Sequence, residues 1–215
     1  MNKYMKFGFI AITLLSIKLH LIASESYYVS SHGYFIGDSE HVTDWKLADA
    51  IVDFLRQEKA ETLVDFGCGD GDYVNHFIKN GISAIGYDGN PVTEDASGGS
   101  CFVLDLSSPV DLQKQYDWVM SLEVGEHLPK QYEAIFIENL VRHVKDGLIL
   151  SWALKGQGGT GHFNEQNNDY IKQIFANLGW FNDLAAENHL RESADIPWFK
   201  NTVMVFRPLT KHSTF

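Results

Sequence analysis

A short apolar run, Thr62-Leu63-Val64-Asp65-Phe66, breaks into Gly67-Cys68-Gly69-Asp70-Gly71, after which Tyr73, Phe77 and Ile78 resume at helical spacing. A strand, a glycine-rich turn and a helix in that order form a seat for a nucleotide-like ligand, because glycine permits positive φ and close approach of backbone N–H groups. The alternation continues downstream. Ile82 to Tyr87 reads as a second strand ending at Asp88, followed by the turn Gly89-Asn90-Pro91. Cys101 to Leu104 is a third, ending at Asp105, and Trp118 to Leu122 a fourth, ending at Glu123. Leu148 to Leu154 makes a fifth, and Thr202 to Arg207 a last. Helices are predicted from about Asp44 to Lys59, from Pro129 to a stop at Gly147, and around Tyr170 to Leu178. Apolar strands alternating with helices give an α/β fold, a doubly wound and mostly parallel sheet covered on both faces. Ligands of such sheets lie outside the carboxyl ends of the strands, where Asp65, Asp88, Asp105 and Glu123 all fall.

The bulk properties narrow the partners. The chain has 215 residues, 45% of them hydrophobic, enough for one domain with a full core and unlike a disordered tail or a disulfide scaffold. Its net charge is -11, a field that repels phosphate backbones, so nucleic acid is a poor partner. The two cysteines, Cys68 and Cys101, imply no disulfide framework and are expected as free thiols. Residues 1–24 differ from the rest: Lys3 and Lys6 precede the apolar run Phe7 to Ile17, and the small residues Ala23, Ser24 and Ser26 follow. That is the pattern of a secretory signal peptide. Lys18 and His20 interrupt the run before the ~20 residues a membrane span needs. An uncleaved membrane anchor and an apolar helix packed on the domain are the alternatives. The chain therefore divides into a signal or anchor over 1–24, a helical lead-in over 25–62 and the ligand-binding domain over 63–215. The expected location is the secretory pathway or beyond the cell, and the membrane is met only through an uncleaved N-terminus.

The glycine spacing separates cofactor classes. A dinucleotide loop, G-x-G-x-x-G, needs a glycine five positions after its first; here that position is Asp72, and the third glycine is Gly71. A pyrophosphate at the helix start would meet Asp70 and Asp72, whereas a cofactor with a positive centre and no phosphate suits an acidic loop. A P-loop is excluded, since no Gly-Lys-Ser/Thr follows.

With these residues in place, Val64-Asp65-Phe66-Gly67-Cys68-Gly69-Asp70-Gly71 resembles the first motif of class I S-adenosylmethionine (SAM)-dependent methyltransferases, and the resemblance runs over roughly Leu63 to Leu154. It implies a Rossmann-like sheet of seven strands, with a terminal antiparallel strand, and SAM as cofactor. By the same resemblance, Gly67, Gly69 and Gly71 would wrap the methionine part, with Asp65 near its amino group. Asp88 would take both ribose hydroxyls, Asp105 and Leu106 would border the adenine, and Glu123 would lie beside the sulfonium. The bland alternatives are a solvated turn for Asp88, a helix cap for Asp105 and a surface position for Asp65.

Methyl transfer is an in-line displacement, so the protein mainly aligns the reactants, and a base is needed only where the acceptor carries a proton. Glu123, His127 and His162 are the predicted catalytic residues, with Glu126, Trp152, Asn164 and Tyr170 also near the strand ends. The run Gly156 to Asn164, with four glycines, suits a flap over a polar acceptor. No metal is expected, because Glu126-His127 and His162 have no partner at zinc-site spacing. The expected reaction is methylation of an oxygen or nitrogen on a small molecule or on an exposed group of a glycan, lipid or peptide. A catalytically silent SAM-binding protein and a nicotinamide-dependent oxidoreductase are the other readings.

Overall fold

The structure is a computed structural model and describes residues 27–37 and 41–209, so the predicted signal or anchor segment lies outside the described residues. Two short strands, β1 (Tyr27–Val29) and β2 (Phe35–Gly37), pair antiparallel as a separate hairpin. The helix α1 (Trp45–Gln57) then leads into the main sheet. The chain continues through β3 (Thr62–Phe66), α2 (Asp72–Lys79), β4 (Ser83–Asp88), the single turn α3 (Thr93–Ala96), β5 (Cys101–Val103) and β6 (Tyr116–Ser121). A 3-10 turn at Lys130–Tyr132 opens α4 (Glu133–Arg142), followed by β7 (Val144–Leu150), α5 (Asn168–Asn177) and β8 (Trp180–Asn182). The chain closes with α6 (Leu184–Ser193), α7 (Phe199–Thr202) and β9 (Met204–Pro208).

The seven strands of the sheet lie in the order β5-β4-β3-β6-β7-β9-β8. Strands β5 to β7 are parallel, and β9 pairs antiparallel with both β7 and β8. The order reverses at β3, which pairs with β4 on one side and β6 on the other, so the crevice at its carboxyl end is the switch point where ligands bind. Side chains alternate between the faces, as pleating requires. Leu63, Met120 and Ile149 join Leu47, Ile51 and Leu190 on one side; Val64, Val119 and Leu148 join Phe136, Leu140 and Phe175 on the other. This is the predicted doubly wound, mostly parallel fold.

The sequence reading departs from the structure where local pattern misleads. The helix expected to run to Gly147 ends at Arg142, and Val144 opens β7 instead of closing a helical face. Gly147 is a packing glycine: a Cβ there would stand 2.3 Å from the Trp118 ring, which is buried against Phe54. The fifth strand consequently ends at Leu150, not Leu154. The lead-in expected to be helical over 25–62 is helical, among the described residues, only in α1 and begins with the hairpin, whose strands, like β8 and α6, carry too short or too polar a pattern to be assigned from the sequence.

Three acids fasten the helical layer. Asp44 caps α1, its Oδ1 accepting from the Leu47 N–H at 2.9 Å, while its Oδ2 accepts from the Asp195 and Ile196 N–H groups. Arg207 on β9 donates to both oxygens of Glu58 at 2.7 and 2.8 Å and to Asp183, the cap of α6, at 2.7 Å. Burial opposes ionisation of Asp183, but the Ala186 N–H and the Arg207 guanidinium outweigh it and hold its carboxyl below the usual range. A depressed carboxylate adds stability that is complete above its unfolded-state pKa and is lost as pH falls through the folded one. Arg207→Ala is therefore expected to cost about 2–3 kcal/mol at neutral pH. Urea unfolding should show that gap shrinking on acidification below about pH 4; a gap independent of pH contradicts the assignment.

Candidate active site

The glycine turn between β3 and α2 is held from two directions. Gly67, Gly69 and Gly71 all have positive φ. A Cβ at Gly67 would fall 2.2 Å from Val124, and one at Gly69 would fall 2.9 Å from His41, so these positions are closed to larger residues by packing as well as by conformation. The N–H groups of Gly67 and Cys68 donate to the Tyr87 carbonyl, and that of Gly69 donates to Asp88 Oδ2 at 2.9 Å. Cys68 and Cys101 are free and buried behind the turn.

A cavity of about 450 Å³ opens over this turn, within the usual size for small-molecule sites. Its rim is acidic. Asp65, at the end of β3, is 2% exposed, and its Oδ1 has no hydrogen-bond partner. Burial first, then the neighbouring Cys101 and Asp88, push its pKa well above the ordinary carboxylate value. Asp88, at the end of β4, is half-buried, and each of its oxygens accepts one backbone N–H, from Gly69 and from Asn90. A carboxylate has about four lone-pair sites, so capacity for two further donors remains. Asp105 accepts from the Ser107 N–H at 2.9 Å and pairs with His32 Nδ1 at 2.7 Å. Burial acts against it, but the Ser107 and His32 bonds hold its pKa below normal. Leu106 beside it is buried and lines the same cavity.

The hairpin forms a wall that sequence reasoning missed. His32 reaches Asp105 across 73 positions, Gly33 lies against the His127 carbonyl, and Gly37 exchanges two hydrogen bonds with the Asn90 side chain. No local pattern marks these contacts, since each joins residues far apart in the chain.

The other end of the cavity is built after β6 and β7. Glu123 follows β6 with φ +53°, a conformation that costs about 1–3 kcal/mol for a residue with a Cβ. Its N–H donates to Ser151 Oγ at 2.7 Å, and its carboxylate accepts from Gln157 Nε2 and Thr202 Oγ1. His127 and His162 meet almost edge to face, with ring centroids 4.9 Å apart. His127 Nδ1 faces the Gly161 carbonyl at 3.2 Å; burial, then the neighbouring His162, push its pKa down to about 4. Glu126 is fully buried, and neither carboxylate oxygen has a partner at full hydrogen-bond geometry; burial, then the Glu123 charge, raise its pKa well above normal against the opposing effect of the Glu126 and Ala153 N–H groups.

The expected flap is anchored by Glu165, a residue the sequence did not single out. Its carboxylate accepts from the Gly156 and Gly158 N–H groups at 2.7 and 2.6 Å and pairs with His162 Nδ1 at 3.0 Å. Three other candidates are structural. Trp152 is buried beside Gly125 and donates to the Asn164 carbonyl; buried Asn164 bonds Glu133; and Tyr170 donates to Glu133 outside the cavity lining. No metal is expected from the spacing along the chain; the fold brings one donor atom each from Glu126, His127 and His162 within 4.8 Å of one another.

A family model described as a methyltransferase domain matches residues 40–151, more than half of the chain. No curated protein matches the sequence at a significant level. Among solved structures, the chain is similar to magnesium protoporphyrin IX methyltransferase (ChlM) from Synechocystis PCC 6803 with bound SAH, at 18% identity and TM-score 0.57, covering 80% of this chain and 90% of that one. It is also similar to the sugar N-methyltransferase KedS8 from Streptoalloteichus sp ATCC 53650, at 14% identity and TM-score 0.59, over 81% of this chain and 98% of that one. The small RNA methyltransferase HEN1 shares 18% identity with a TM-score of 0.58, over 82% of this chain and 28% of that one.

Replacing Glu165 tests whether one carboxylate sets the loop. In Glu165→Ala, hydrogen exchange of the Gly156 and Gly158 amides should quicken roughly tenfold or more, as expected for losing bonds to a charged acceptor. Unchanged protection contradicts that role.

Proposed function

This chain belongs to the family of methyltransferase domains and uses SAM, and from that premise we propose that it methylates an oxygen or nitrogen of a small molecule or of an exposed group on a glycan, lipid or peptide. The observation that carries the cofactor assignment is Asp65: a buried carboxylate oxygen without a protein partner, on an acid-rimmed cavity at the switch point of the sheet. An unpartnered buried anion calls for a cationic ligand group, and the ammonium of SAM is one. SAM supplies an electrophilic methyl group on a sulfonium.

The residues divide the work along the cavity. Gly67, Gly69 and Gly71 cradle the methionine part, with Asp65 facing its amino group. Asp88 receives the ribose hydroxyls on its remaining lone pairs, and Asp105 and Leu106 border the adenine. The acceptance of His32 by Asp105 leaves that carboxylate oriented along the hairpin wall. Glu123 sits between the cofactor end and the acceptor end; its strained backbone, fixed by Ser151, and its Gln157 and Thr202 bonds keep its carboxylate in one place. His127 and His162 line the acceptor end, where they orient the acceptor heteroatom for attack.

The nicotinamide reading is disfavoured by the acids at positions 70 and 72, which repel a pyrophosphate. The similar structures act on a porphyrin, a sugar and an RNA by their names, so the fold leaves the acceptor open. The net charge of -11 favours acceptors other than nucleic acid.

Two substitutions separate the halves of the site. Asp88→Ala should weaken SAM by about 1–3 kcal/mol, the value of hydrogen bonds to a charged group. An unchanged dissociation constant removes Asp88 from the ribose site. His162→Ala should lower kcat by roughly a hundredfold or more while leaving SAM affinity within about twofold. An equal loss in both places His162 with the cofactor or the fold instead.

A further inference from the structure

Behind the acceptor end lies a group of donors that hydrogen bonding within the protein does not satisfy. Glu126 is completely buried; its own N–H and that of Ala153 face its carboxylate, but neither oxygen has a partner at full hydrogen-bond geometry. The Glu123 carboxylate three residues away adds negative potential, and no Lys or Arg is paired with Glu126 among the described residues. A buried carboxylate in that setting is costly in the absence of a positive charge. Besides those backbone N–H groups, two imidazoles approach it, each bringing a donor atom within 4.8 Å of the carboxylate and of the other.

The imidazoles are arranged as ligands are. His162 has its Nδ1 on Glu165 at 3.0 Å, and His127 has its Nδ1 on the Gly161 carbonyl at 3.2 Å. A carboxylate or carbonyl holding one ring nitrogen fixes the tautomer and leaves the Nε2 lone pair free, the usual outer-shell arrangement around a metal-bound histidine. Glu165 is itself fixed by the Gly156 and Gly158 N–H groups, so the outer shell is held by the loop as well. Both imidazoles line the cavity, which provides a route in for an ion and an open side toward the acceptor.

We propose that Glu126, His127 and His162 bind a divalent transition-metal ion at the acceptor end of the cavity. Two imidazoles and one carboxylate suit Zn²⁺, Mn²⁺, Co²⁺ or Fe²⁺ and leave coordination positions open for a further ligand. The class of acceptor follows from those open positions: a hydroxyl-bearing molecule whose oxygen binds the ion, which lowers the hydroxyl pKa so that its proton passes to water before the oxygen attacks. On this account His127 and His162 act on the acceptor through the ion and not as free bases. The acceptor assignment rests on the methyltransferase reading, whereas the binding of the ion does not.

The test is a titration of Co²⁺ into tag-free, EDTA-treated protein, followed by visible absorption. Wild type should develop ligand-field bands that saturate at one ion per chain. Glu126→Gln and His162→Ala should each weaken Co²⁺ roughly tenfold or more, and His189→Ala, an exposed residue of α6, should leave binding unchanged. Because Glu126 is buried, its variant is checked by circular dichroism; His162→Ala in the loop carries the test if Glu126→Gln does not fold. Folded wild type that develops no bands overturns the proposal, as do bands that persist unchanged in both variants. SAM binding measured on the metal-free protein separates the two readings: Co²⁺ bands without SAM binding retain the ion and remove the methyltransferase chemistry, and the reverse result removes only the ion.

Discussion

Two buried carboxyl groups that lack a full set of hydrogen bonds, Asp65 and Glu126, set the terms for what surrounds them. Asp65 lies at the end of β3, where the sheet reverses its order, and Glu126 in the turn that follows the neighbouring β6. Burial strips each of water, and the protein returns no full set of hydrogen bonds. Such groups persist only where the surrounding fold holds them in place and a ligand compensates them. Both call for positive charge, Asp65 on the cavity lining and Glu126 behind the two histidines that line its other end. A cofactor with an ammonium answers the first, and a metal ion answers the second.

The scaffold keeps those two ends at fixed separation. The glycine turn is tied to β4 through Tyr87 and Asp88, and it is closed above by Val124 and His41. At the other end Glu165 gathers the glycine-rich loop and His162 into one hydrogen-bonded unit. Between them Glu123 holds a backbone conformation unfavourable for its residue type, stabilised by Ser151, Gln157 and Thr202. Strain of this kind at the centre of a cavity is consistent with a functional position. The hairpin from Tyr27 to Gly37 completes the wall, so the site draws on elements from both ends of the described chain.

How much of this was legible in the sequence depended on distance along the chain. The glycine turn and the acids at the strand ends were readable because a strand, its turn and the next helix are contiguous, and because apolar runs keep a period. Asp65, Asp88, Asp105 and Leu106 consequently all appear around the cavity. What escaped was set by contacts between distant residues. Gly147 looks like a helix stop and is instead a gap for the Trp118 ring; His32 meets Asp105 only after folding; and Glu126-His127 meets His162 across some thirty-five positions. The four glycines from Gly156 to Asn164 suit a flap, and Glu165, which anchors it, lies one position beyond that run.

The most direct test of the central claim is calorimetric titration of the folded chain with SAM, its demethylated product and NAD. The account predicts micromolar binding of the first two, diminished in Asp65→Ala, and none of NAD. A folded protein that binds none of the three, or that binds NAD in preference, contradicts it.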